Sequence, residues 1–126
     1  MANWSDVQEA VRVAYPLDTD TEHEFAVTLQ VEGRAQRVMV SHSIAWEHSL
    51  LEFRSAFAEA GAFEPRALLA DNLHLPIGSI ALHGNFLVLV HKVVLDFITV
   101  EGVLFLIGRL GALADVLEER TGTDKF

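Results

Sequence analysis

The chain contains no cysteine. Disulfides, thiolate zinc sites and cysteine nucleophiles are thereby excluded. Positive charge is scarce: nine Lys and Arg face eighteen Asp and Glu, a formal net charge of −9. The basic residues are scattered, with Arg34 and Arg37 the closest pair of note, so neither nucleic acid nor an anionic membrane surface is an expected partner. A clean hydrophobic run is also missing. Residues 86–107 are apolar in the main, but His91, Lys92, Asp96 and Glu101 interrupt them. A bilayer-spanning helix needs about 20 predominantly apolar residues and rarely tolerates that many charges. The first ten residues show no basic region followed by an apolar core, so no signal peptide is read there and the expected location is cytoplasmic. The match of Asn3-Trp4-Ser5 to the glycosylation sequon is then idle.

Catalytic signatures are equally thin. There is no GxSxG for a nucleophile elbow, although Ser41-His42-Ser43 and Ser79 place hydroxyls near histidines. Gly108-Arg109-Leu110-Gly111 falls within a helical stripe and makes no phosphate loop. The segment Asp18-Thr19-Asp20-Thr21-Glu22 begins like a calcium loop, but the sixth and twelfth places hold His23 and Leu29 where glycine and glutamate are required. Of the six histidines, His74, His83 and His91 cluster around one hairpin and are the candidates for a metal- or ligand-binding enzyme. No HxH or HExxH spacing supports them, and His91 shares a strand face with Leu89 and Val93, where a hydrogen-bonded core histidine is the simpler reading. No cofactor and no enzyme activity are expected.

What is present is a patterned 126-residue chain, 51% hydrophobic, of a length that fits one domain over residues 1–126. Residues 5–14 read as a helix with Ser5 as N-cap and Gln8 three places on, stopped by Pro16. Residues 18–23 read as an acidic connector. The period then changes to two: Phe25, Val27, Leu29 and Val31 form one strand face, Glu32-Gly33-Arg34 a turn, and residues 36–41 the returning strand. Residues 42–49 are expected as a loop carrying Trp46. A third strand follows around Leu51, Phe53 and Phe57, and a helix from Pro65 to about Asn72. Trp4, Phe57 and Phe63 read as core, whereas Trp46 in its polar surroundings is a candidate contact residue.

Residues 77–83 and 86–97 form the expected hairpin about Gly84-Asn85. Its second strand is apolar on both faces: Leu87, Leu89, Val93 and Leu95 on one, Phe86, Val88, Val90 and Val94 on the other. Such a strand belongs inside a sheet with something over each face, and the second cover is expected to be a twin subunit or a partner. The last helix spans about residues 99–120, with Val103, Leu106, Ile107, Leu110, Leu113, Ala114 and Leu117 as its stripe. The predicted fold class is α+β: one domain, α-β-β-β-α-β-β-α, an antiparallel sheet packed by helices on one face.

This order resembles the YbjN-like branch of the type III secretion chaperone-like fold. The likeness rests on Glu52-Phe53-Arg54-Ser55-Ala56-Phe57, Leu68-Leu69-Ala70-Asp71-Asn72, Gly78-Ser79-Ile80-Ala81-Leu82, Leu87-Val88-Leu89-Val90-His91, and Ala114-Asp115-Val116-Leu117-Glu118 running into Gly122-Thr123-Asp124. The resemblance implies a small, acidic, dimeric protein without catalytic residues that binds extended segments of client proteins. The expected function is a non-enzymatic, chaperone- or adaptor-like binding module, a homodimer, contacting its client through Trp46, Val88, Val90 and Val94.

Overall fold

The computed structural model describes residues 3–120; the expected run of the tail into Gly122-Thr123-Asp124 lies outside the described residues. Helix α1 (Trp4–Ala14) is capped by Asn3, not by Ser5: the Asn3 side-chain oxygen accepts from the Asp6 N–H at 2.8 Å. Asparagine is as good an N-cap as serine. Gln8 leaves no capping box behind, since its amide donates to the Thr21 carbonyl at 2.8 Å. After Pro16 the chain enters strand β1 (Leu17–Asp20), inside the stretch expected as a connector. Four mostly polar residues at a sheet edge carry no hydrophobic alternation to announce them.

Strand β2 (Glu24–Val31) turns through Glu32 and Gly33, at φ 50° and 83°, into β3 (Arg34–Ala45). The expected loop at 42–49 is absent. Strand β3 continues to Ala45 and β4 (His48–Glu59) starts two residues later, so Trp46 and Glu47 alone make the turn, at φ 52° and 63°. Positive φ at both central positions matches a type I′ hairpin turn, which normally selects Asn-Gly. Helix α2 (Pro65–Asn72) has proline in its first turn, and the Glu64 carboxylate accepts from the N–H groups of Arg66 and Ala67 at 3.0 and 2.9 Å. Strands β5 (Ser79–His83) and β6 (Phe86–Val94) form the hairpin. The expected strand to residue 97 ends early because Leu95–Phe97 curls into a 3-10 turn. Helix α3 (Val100–Glu119) begins at Thr99, whose hydroxyl accepts from the Gly102 N–H at 3.0 Å.

The six strands form one antiparallel sheet in the order β1-β2-β3-β4-β6-β5, with α1 and α3 against one face. The fold is α+β with one strand more than the sequence announced. The register places Phe25, Val40, Phe53 and His91 in one cross-strand row, and Ser55, Leu89 and Ile80 in another. Helix α3 lies across this face so closely that a Cβ on Gly111 would clash with a Leu29 methyl. Trp4 lies flat over Phe25 and His42, with ring centroids 5.4 and 5.0 Å away. Phe57 belongs to the core and Phe63 packs against it, as the sequence suggested. Gln36 is buried beside them, donating to the Ser55 hydroxyl and the Ala56 carbonyl, each at 2.8 Å. Among the described residues, no helix is long and apolar enough to cross a membrane.

Candidate functional site

The sheet face opposite α1 and α3 has no helix packed on it among the described residues, and the register fixes what it presents. Met39, Arg54, Val90 and Ser79 form one row. Ala56, Val88 and Ala81 form the next toward the β5–β6 turn, followed by Phe86 and His83. In the other direction come Ser41, Glu52 and Lys92, then Ser43, Leu50 and Val94. The face therefore carries two apolar groups, one around Met39, Ala56, Val88 and Val90 and one at Leu50 and Val94, with the polar row Ser41-Glu52-Lys92 between them.

Those charges are largely satisfied within the sheet. Arg54 donates to Glu52 at 2.9 Å and to the Met39 sulfur at 3.3 Å, and the Lys92 ammonium stands 3.7 Å from Glu52. Arg37 reaches across to the edge strand, donating to Asp18 and, at 2.8 Å, to the Thr19 hydroxyl. The guanidinium heads thus lie along the sheet surface, and their stems leave apolar ground between them. A shallow depression of about 340 Å³ opens there, floored by Ala56 and Val88 and walled by Met39, Arg54 and Phe86.

The structure brings Val88, Val90 and Val94 together on this face. Val90 and Val94 are half-buried, but Val88 is only 3% exposed and serves as floor, not as a protruding contact. Trp46 stands apart at the tip of the β3–β4 hairpin, 82% exposed. Met39, Leu50 and Phe86 complete the two groups. Their membership depends on the β3–β4–β6 register, which periodicity within one strand does not reveal.

The histidine set is not brought together. His83 faces the open side with Phe86, while His91 faces the helix side and accepts from the Gly78 N–H at 3.1 Å. His74 is exposed just beyond α2. Among the described residues, no group of three His, Cys, Asp or Glu side chains could hold a metal ion. Elsewhere, His42 lies under Trp4 with its Nε2 3.0 Å from the Ser49 hydroxyl, and burial, helped by nearby His23, lowers its pKa from the ordinary value. His48 pairs with Asp96 at 2.9 Å on the surface. In comparison with known proteins, the chain matches no family model and no curated protein.

Proposed function

We propose that the chain is a non-enzymatic, chaperone- or adaptor-like protein-binding module of the YbjN-like, secretion-chaperone-like kind, working in the cytoplasm. The observation that carries this is the sheet that, among the described residues, is covered by helices on one face only, with Met39, Leu50, Phe86, Val90 and Val94 on the other. Exposed apolar surface of this kind, here crossed by Arg54, Glu52 and Lys92, supports a protein interaction site. The ligand is an extended apolar segment of another protein. Its side chains settle against both apolar groups and into the depression over Val88, and Arg54 and Lys92 border it while tied to Glu52. Trp46 adds a large amphipathic contact at one end. It occupies a positive-φ position that strains a bulky residue, and strain of that kind concentrates at functional positions.

The test uses fluorescence of an apolar dye and titration with apolar peptides. Val90→Asp is expected to weaken binding at least tenfold while circular dichroism and the melting curve stay close to those of the parent, because Val90 is only half-buried. Trp46→Ala should weaken it less. Binding that survives both Val90→Asp and Val94→Asp in folded protein would refute the assignment.

A further inference from the structure

The centre of the open face carries an excess of positive charge, in a chain that is strongly acidic. Glu52 stands between Arg54 and Lys92, at 2.9 and 3.7 Å, so one carboxylate serves two cations. The next carboxylate along that row, Glu24, is two strands away, about 10 Å. Toward the β5–β6 turn, the depression over Ala56 and Val88 is lined by Arg37, Arg54 and His83 and by no acidic side chain. Eighteen Asp and Glu against nine Lys and Arg would not lead one to expect that lining from composition.

The two arginines differ in what they hold. Arg37 gives its guanidinium to Asp18 and Thr19 on the edge strand, where its charge is matched. Arg54 gives Nη1 to Glu52, but its Nη2 reaches only the Met39 sulfur, at 3.3 Å, and its Nε donates to no described residue. A thioether is a weak acceptor. The Nε–Nη2 edge, of the kind that forks onto a carboxylate, is thus held by nothing stronger than sulfur. The Arg54 side chain is 23% exposed and is flanked across the sheet by Met39 and Val90. A charge-assisted hydrogen bond made between apolar neighbours is stronger than one made in open water.

We propose that Arg54 anchors a carboxylate of the client, an Asp or Glu side chain that forks onto Nε and Nη2 in place of the Met39 sulfur. The anchor rests on the reading of the open face as a client site and specifies what the client carries. Strand geometry sets the rest of the motif. Arg54 and Ala56 are two places apart on β4. An extended segment lying along the strand repeats its sheet-facing side chains at the same interval, about 6.6 Å. An acidic residue over Arg54 therefore sets the residue two places away over Ala56, where the depression of about 340 Å³ takes an apolar side chain against Val88. Apolar contacts alone would hold many segments in many registers. The carboxylate selects the segment and fixes its register.

The test compares two extended valine- and threonine-rich peptides, identical but for Glu or Gln at the central sheet-facing position. Both ends are blocked, so the Glu side chain is the only carboxylate. By isothermal titration calorimetry on the full chain, the Glu peptide is expected to bind about tenfold more tightly. Arg54→Gln should erase that difference while leaving the Gln peptide's affinity within about twofold. Arg54→Lys should keep only part of it, because an ammonium cannot fork onto a carboxylate. Arg37→Gln should leave it intact. Met39→Leu conserves volume and removes the competing sulfur, so it should enlarge the difference, and it serves as the test if Arg54→Gln fails to fold. Equal binding of the two peptides, a Glu preference that survives Arg54→Gln, or one lost in Arg37→Gln or Met39→Leu would overturn the anchor and leave the client site standing. Failure of both peptides to bind would overturn both.

Discussion

At the residue scale, the positions that govern stability are few and chemically distinct. Asp115 is buried on α3 and held by Arg34, which also reaches Glu119. Removing one side of a buried pair leaves the other charge poorly solvated. Asp115→Leu is therefore expected to lower the melting temperature by about 5 °C or more, with Arg34→Leu added to it recovering part of the loss. His42 acts in the opposite sense to an ordinary surface imidazole. Burial depresses its pKa, so the folded state binds a proton less readily than the unfolded chain. Its stabilising contribution is complete above the ordinary imidazole range and is lost as the pH falls through that range to the folded value. His42→Gln should flatten the stability profile between about pH 7 and pH 5, measured by urea unfolding at each pH. Asp20, held by Arg12 at 2.7 Å, has its pKa lowered, so its contribution is lost only on further acidification, below the ordinary carboxylate range.

At the scale of elements, legibility followed the strength of local signals. Pro65 announced α2, and the stripe from Val103 to Leu117 announced α3, because each pattern acts through the chain's own backbone; the Glu64 cap was seen only in the structure. Strand β2 was equally visible, since Phe25, Val27, Leu29 and Val31 all face the core. Strand β1 escaped notice because an edge strand needs only pairing, and its polar residues find partners such as Arg37 across the sheet. The β3–β4 hairpin was misread as a loop because Trp46-Glu47 lacks the glycine or asparagine its backbone calls for. That yields a further expectation: Trp46→Asn with Glu47→Gly should stabilise the fold by about 1 kcal/mol, or about 4 °C in melting temperature. The same double variant should bind apolar peptide less well if Trp46 contacts the client. The candidate site was half legible. Alternation along β6 placed Val88, Val90 and Val94 on one face, but only the neighbouring strands show Val88 as floor and supply Met39 and Leu50.

At the scale of the whole molecule, the proposed client site lies on the open sheet face, on the side of the sheet away from α1 and α3. The sheet topology also has a kinetic side. Every strand pairing but one joins strands consecutive in sequence; the exception, β4 with β6, spans α2 and β5. Helix α2 contributes no fully buried side chain. It is held through Leu68, which is partly buried against the core, through Asn72, which exchanges hydrogen bonds with the Ile80 backbone, and through the exposed Asp71–Arg120 contact. So little anchorage means that the helix can detach as a unit while the rest of the sheet persists. Amide hydrogens in residues 65–73 should exchange orders of magnitude faster than those of β4, and a protease should nick the chain there first, yielding two fragments that remain associated through the intact β4–β6 ladder.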